Sequence, residues 1–199
     1  MDTNKVGRNP LDDFSFDDLE SEVDKECTED VSLYHTTADN EYTFSVKHNF
    51  GKLSNRRKAP IFALVDWHGN EIFDLRYWKD NGAPGKGMSF TMGELIAFYA
   101  ALEKYNFSAT YDTPIRQYQD GNGLVTFFCL IARVSSTVKK NTVWYKEVNL
   151  VDWGCGTRVD LRKWSSDYKQ HSRGVRISLD ELKILQGLIK TIVKEATSE

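Results

Sequence analysis

A motif of 15 residues occurs twice in this chain, and the repetition constrains the fold more than any other feature. The motif runs from Leu64 to Trp78 and again from Leu150 to Trp164, at a constant offset of 150 − 64 = 86 residues. Eight positions are identical, and they include two tryptophans in each copy. Because eight identities without a gap are hard to obtain by chance, the sequence indicates a tandem duplication.

Each copy of the motif is typical of a β-hairpin. Its two apolar stretches flank a glycine-containing turn at 68–70 or 154–156, and glycine supplies the positive φ that a short turn requires. Side chains alternate along a strand, so the acid, the arginine and the last tryptophan of the motif share one face. This arrangement has two explanations, a cation–π pair that caps the sheet or a surface on which a flat ligand stacks. A further tryptophan at the end of the preceding strand, Trp67 or Trp153, favours the stacking ligand.

Segments outside the motif predict the remaining elements. The capping box Thr91–Glu94 predicts the start of a helix, and apolar residues at helical spacing predict a closing helix around Leu182–Val193. The pattern of Leu124–Val134 predicts the first strand of the second repeat. Residues Thr110–Gln119 predict an additional strand.

Three segments of the second repeat resemble a known family. They are Lys-Glu-Val-Asn-Leu-Val-Asp-Trp (146–153), Val-Asp-Leu-Arg-Lys-Trp-Ser (159–165) and Arg-Ile-Ser-Leu-Asp-Glu-Leu (176–182). The first repeat is similar through Phe-Asp-Leu-Arg-Tyr-Trp (73–78) and Pro-Gly-Lys-Gly-Met-Ser-Phe (84–90), which precedes a predicted helix. Together these segments resemble the YdbC branch of the positive cofactor four family. Those proteins are small transcriptional-coactivator-like domains that bind single-stranded DNA.

The resemblance implies an α+β fold of two tandem ββββα units, each a curved antiparallel sheet backed by a C-terminal helix. The expected divisions are an acidic disordered tail (1–40), the first repeat (41–106), a linker (107–122) and the second repeat (123–199). Members of the family act as dimers whose two sheets hold one strand. The resemblance therefore implies a monomeric chain in which the repeats form an intramolecular pseudo-dimer.

The resemblance also implies a nucleic-acid site in which tryptophans stack on bases and cations contact phosphates. The candidate residues are Trp67, Arg76, Trp78, Lys86, Trp153, Arg162, Trp164, Arg173, Arg176, Lys47 and Arg133. Trp67 and Trp153 hold the place of the base-stacking aromatic of the family. Arg76 and Arg162 are expected to lie along the path of the strand. An aromatic just after the arginine is typical of the family's binding face, and Trp78 and Trp164 are the candidates.

The phosphate contact differs between the repeats. Lys86 stands two residues before the predicted fourth strand, where the family carries a basic residue. The same count in the second repeat reaches Val175, with Arg173 and Arg176 on either side. The sequence leaves open whether these arginines replace the lysine or whether the second half binds more weakly.

Charge is unevenly distributed along the chain. Residues 1–40 hold twelve acids and three bases, a balance of 3 − 12 = −9, so the remainder has 23 − 17 = +6. A basic body is compatible with a nucleic-acid ligand. In the tail, Leu11–Leu19 interleaves large apolar residues with carboxylates. This segment is interpreted either as a solubilising tail or as a peptide that docks on a basic, aromatic surface of a partner or of the chain's own groove.

Several other classes of protein are not expected. The sequence has no apolar run of about 18 residues and no basic, apolar leader, so neither a membrane span nor export is predicted. The three cysteines, Cys27, Cys129 and Cys155, form no Cys-x-x-Cys pair, and neither a disulfide framework nor a metal site is expected. No catalytic constellation or cofactor motif is present, and the chain is not expected to be an enzyme. We expect a cytoplasmic, nucleoid-associated protein of bacterial or phage origin.

The leading functional prediction is non-sequence-specific binding of single-stranded DNA in transcription regulation, replication or repair. One alternative is a single-stranded RNA binder or RNA chaperone, because the same groove would accept RNA unless the 2′-hydroxyl is excluded. Another is an interaction protein whose tail, residues 1–40, recruits a polymerase or another transcription or replication protein.

Overall fold

Both copies of the repeated motif form hairpins at the centre of antiparallel sheets in the computed structural model, which describes residues 34–35, 44–80, 82–120 and 123–198. The first sheet contains, in spatial order, β1 (Tyr34–His35), β2 (Phe44–Lys52), β3 (Ile61–Trp67), β4 (Asn70–Trp78) and β5 (Pro84–Phe90), and α1 (Met92–Leu102) follows. The second sheet contains β6 (Arg116–Asp120), β7 (Gly123–Lys139), β8 (Thr142–Asp152), β9 (Thr157–Ser165) and β10 (Val175–Ile177), and α2 (Leu179–Thr197) follows. Its spatial order is β10-β9-β8-β7-β6. The predicted α+β class is confirmed.

The aspartate before each strand-ending tryptophan stabilises the hairpin turn. Asp66 Oδ1 accepts a hydrogen bond of 2.7 Å from the backbone N–H of Gly69, whose φ is +79°. Asp152 Oδ1 accepts one of 2.7 Å from the N–H of Gly154, whose φ is +85°. A side-chain acceptor for turn N–H groups and a residue free to adopt positive φ together explain why this part of the motif favours a tight turn.

Both helices begin with a capping box. Thr91 accepts from the backbone N–H of Glu94, whose carboxylate accepts in return from the N–H of Thr91 at 2.9 Å. Ser178 and Glu181 make the same pair of bonds at the start of α2. The capping box predicted at Thr91–Glu94 is therefore confirmed, and the reciprocal bonds satisfy N–H groups that a helix start leaves unpaired.

A single hydrophobic cluster joins the helices to the inner faces of both sheets. On β4, Phe73 and Leu75 point into this cluster, whereas Asp74 and Arg76 point to the opposite face. The fully buried members from the first repeat include Phe62, Leu75, Leu95 and Phe98, and those from the second include Val148, Leu161, Leu182 and Ile189. Helix α1 packs against β7 and α2, so the apolar surface of each repeat is covered partly by the other.

Two boundaries differ from the sequence prediction. Tyr34–His35, within the segment expected to be a disordered tail, pairs with β2 as a short strand; the rest of that segment lies outside the described residues. Strand β6 overlaps the additional strand predicted at Thr110–Gln119, and because it pairs with β7, part of the expected linker belongs to the second sheet. In the described part of the chain, neither helix combines the length and the apolar character needed to cross a membrane.

Candidate nucleic-acid interface

The acid and the arginine of the repeated motif form an ion pair on the outer face of each sheet, opposite the main core. Arg76 donates to both carboxylate oxygens of Asp74, with Nη2 at 2.7 Å from Oδ1. Arg162 binds both oxygens of Asp160, with Nη2 at 2.6 Å from Oδ2. Both aspartates are almost fully buried. Burial raises the pKa of Asp160, and the contact with Arg162 opposes that rise.

These ion pairs describe the surroundings of the motif arginines, whose predicted place along the path of a bound strand stays a prediction. Arg76 is 9% exposed and Arg162 is 5% exposed, and each guanidinium is committed to a buried carboxylate. Little of the surface of either side chain is accessible, although Arg162 contributes to the lining of the cavity described below. We interpret both as positioning residues, because Arg76 Cζ lies 5.9 Å from the ring centroid of Trp67 and Arg162 Cζ lies 4.4 Å from that of Trp153.

The strand-ending tryptophans, Trp67 and Trp153, are half-buried and keep part of their ring surface accessible. Trp153 has a second arginine beside it, since Arg176 Cζ lies 4.7 Å from its ring centroid. In the described part of the chain, its Nε1 is buried and has no hydrogen-bond acceptor. A partly exposed indole bordered by guanidinium groups offers both a stacking surface and positive charge.

Trp164, by contrast, has no exposed surface, and its assignment as a base-stacking residue is wrong. Its ring packs edge-on against Phe127, with centroids 5.0 Å apart, and lies 6.0 Å from the rings of Trp153 and Tyr168. The chain between β9 and β10, which contains Tyr168 and His171, covers it. The matching connection between β4 and β5 is shorter, and Trp78 remains half-buried.

A cavity of about 490 Å³ brings together five of the predicted residues, Lys86, Trp153, Arg162, Arg173 and Arg176. The first repeat also contributes Tyr77, whose hydroxyl donates to the backbone carbonyl of Arg176. The predicted cations Lys47 and Arg133 are not part of this cavity. They pair with Asp66 at 3.7 Å and Glu147 at 2.9 Å, respectively. Trp67, Arg76 and Trp78 also lie outside its lining.

Strand register shows which residue of the second repeat aligns with Lys86. Met88 pairs with Leu75 in the first sheet, and Val175 pairs with Leu161 in the second, so Met88 and Val175 hold matching positions. Their offset is 175 − 88 = 87 residues, one more than that of the motif. Counting back two residues from each places Lys86 opposite Arg173 in the alignment. Each repeat therefore carries a cation at this position, and the count made from the sequence, which reached Val175, was displaced by two residues.

The glycines that directly follow these cations, Gly87 and Gly174, were missed by the sequence reasoning. A Cβ atom added at Gly87 would lie 2.6 Å from Arg76 Cβ, and one added at Gly174 would lie 2.6 Å from Arg162 Cβ. Only glycine allows β5 and β10 to pass this close to the motif arginines. One signal could have identified these two glycines. Both repeats carry a cation, a glycine and an apolar residue in that order, at 86–88 and at 173–175.

Comparison with known proteins did not add to this description: the chain matches no protein-family model and no curated protein sequence. Among the described residues, no group of three or more histidine, cysteine, aspartate or glutamate side chains is arranged to hold a metal ion.

Proposed function

We propose that this protein binds single-stranded DNA without sequence specificity, as a fused, two-repeat relative of the positive cofactor four family. The observation that supports it best is the cavity in which Trp153 lies beside Lys86, Arg173 and Arg176. Every base has a π-face, so stacking on an indole contributes about 1–3 kcal/mol per base without reading sequence. Cations beside that indole attract the phosphates that link the bases.

The charge of the cavity fits this ligand. Lys86 and Arg173 are exposed, and neither is paired with a carboxylate within the described residues. Arg176 is 3.8 Å from Asp160, which Arg162 already holds. Positive charge that is not neutralised internally is available for an anionic ligand, and its contribution should weaken as salt screens it.

We further propose that the repeats are tandem ββββα units that close on each other as an internal pseudo-dimer. Support comes from two reciprocal contacts. Glu94 of α1 accepts from Lys146 Nζ and Ser135 Oγ of the second sheet, both at 2.6 Å. Glu181 of α2 accepts from Arg56 and Ser54 of the first repeat, the latter at 2.8 Å. Each capping-box glutamate thus binds a cation and a serine of the opposite repeat, as expected around a pseudo-two-fold axis.

A salt series with matched oligonucleotides tests the function. Fluorescence anisotropy would compare a single-stranded 20-mer, its duplex and an RNA of equal sequence. We expect tighter binding to the single strand than to the duplex at every salt concentration, and a linear fall of log affinity with log salt. Equal affinity for the single strand and the duplex would refute the proposal. Preference for the RNA would instead support the single-stranded-RNA alternative.

A further inference from the structure

The two halves of the outer face differ at one matched position. Asp74 is paired in register with Ser89, which donates to its Oδ1 at 2.7 Å. Asp160 is paired in register with Arg176 instead, and Arg176 Nε lies 3.8 Å from its Oδ2. The second half therefore carries one more cation, and this cation also borders Trp153.

The second half also contributes most of the lining of the cavity. The chain between β9 and β10 brings His171 and Ser172 to the edge of the cavity, and Arg162 Nη1 lies 3.0 Å from His171 Nδ1. The opposite wall comes from the first repeat through Tyr77 and Lys86. The cavity volume of about 490 Å³ falls within the range of about 300–1,000 Å³ typical of small-molecule sites.

We propose that this cavity is a binding site for a single nucleotide, called the seat below, in which the base stacks against Trp153 and the phosphate is bound by Lys86, Arg173 and Arg176. Four cations line the cavity, and Asp160 behind them supplies one opposing charge, which leaves 4 − 1 = +3. An aromatic face and an excess of positive charge together select a ligand that is both flat and anionic. This nucleotide site rests on the proposed function. It adds that binding is asymmetric, because the strand is bound most tightly at one position.

Three sources could supply such a ligand: a nucleotide inside a strand, a phosphorylated strand end, or a free nucleotide. They are separated by titration with the 20-mer of thymidylate, with the trimer bearing or lacking a 5′-phosphate, and with thymidine monophosphate. Comparable binding of both trimers indicates an internal nucleotide. A marked preference for the 5′-phosphorylated trimer indicates a strand end.

The informative variant is Arg176→Ser, because it copies the arrangement of Asp74 and Ser89 in the first repeat and is therefore expected to fold. Lys190→Ser is the matched control, since it removes the same charge from an exposed position on α2, away from the cavity. Thermal unfolding of both variants checks that they fold. Isothermal titration calorimetry then gives the affinity and the number of sites.

We expect one trimer per wild-type chain, a loss of about tenfold or more in trimer affinity for Arg176→Ser, and a change of less than about twofold for Lys190→Ser. If the 20-mer binds but Arg176→Ser behaves like Lys190→Ser, or if two trimers bind with equal affinity, the seat is wrong and the proposed function stands. If only thymidine monophosphate binds, and binds through Arg176, the seat is correct and the proposed function fails. If neither the 20-mer nor thymidine monophosphate binds, the nucleotide site and the proposed function are both wrong.

Discussion

Lys146 Nζ donates to Glu94 Oε2 at 2.6 Å and thereby joins the second sheet to the start of the first helix. Burial by itself would raise the pKa of Glu94, but the hydrogen bonds from Lys146 and Ser135 outweigh it, and the pKa is lowered. Burial also lowers the pKa of Lys146, although Glu94 opposes this effect. The ammonium and the carboxylate therefore depend on each other to offset the loss of water.

Removal of one partner of this pair should cost more than removal of both. We expect Lys146→Met to lower the free energy of unfolding by about 1–3 kcal/mol, because Glu94 is left without its main donor. The double variant Glu94→Gln, Lys146→Met should recover part of that loss. Urea unfolding of the two single variants and the double variant gives the coupling energy. Strictly additive effects would show that the contact does not join the repeats.

The capping-box glutamates should make stability depend on pH. Burial would raise the pKa of Glu181, but bonds from Ser178, Arg56 and Ser54 hold it below the ordinary value of 4.5, as for Glu94. A carboxyl whose pKa is depressed on folding stabilises the protein fully above 4.5 and loses that contribution as the pH falls through its folded-state value. The double variant Glu94→Gln, Glu181→Gln should show a shallower acid loss of stability, measured by urea unfolding across the pH range.

The close glycines predict a contrast between strand and helix substitutions. Gly87→Ala and Gly174→Ala should each destabilise by about 1–3 kcal/mol, because the new methyl group would meet a motif arginine. Gly187→Ala on α2 is the control, since a Cβ there has no neighbour within 4 Å and alanine favours a helix. Thermal unfolding should show the first two variants less stable than wild type and the third equal or more stable.

Two neighbouring tryptophans should separate binding from stability. Trp153→Ala is expected to weaken single-strand binding by about 1–3 kcal/mol, because it removes a stacking surface. Trp164→Ala should instead lower the free energy of unfolding by about 3–5 kcal/mol, because it empties a fully buried site. Anisotropy and urea unfolding on both variants decide between the roles. A stability loss for Trp153→Ala without an affinity loss would show that both rings serve only packing.

The unpaired cations should carry the salt dependence. Lys86→Ala and Arg173→Ala are each expected to flatten the slope of log affinity against log salt by about 0.7, the value for one phosphate contact on a single strand. Their stability should hardly change. Lys183→Ala is a suitable comparison, because it removes an exposed cation of α2 and should leave the slope as in wild type. Unchanged slopes for the first two variants would place the phosphates elsewhere.

The sequence predicted those features of the fold that depend on interactions between residues close together in the chain. Alternation along the second strand of the motif placed Asp74 and Arg76 on one face, and Thr91–Glu94 identified a helix start from four residues. These features depend on backbone geometry and on bonds between near neighbours. They could therefore be inferred without knowledge of the tertiary structure.

Features that depend on distant residues could not be inferred in the same way. Trp164 occupies the same motif position as Trp78, but a longer connection that carries Tyr168 covers it. Lys146 and Glu94 are separated by 52 residues and share no local pattern. Arg173 was a candidate, but its equivalence to Lys86 was missed, because the match between Met88 and Val175 is visible only once the strands are paired.

The difference between Ser89 and Arg176 has a consequence for how such a surface changes over generations. In a pair of identical chains related by a two-fold axis, every mutation alters both sides at once, so a change that benefits one side must be tolerated by the other. With both sheets on one chain, a single codon changes one side alone. A fused chain can therefore develop one specialised side while the other keeps its ancestral form, a division of labour that is closed to a homodimer.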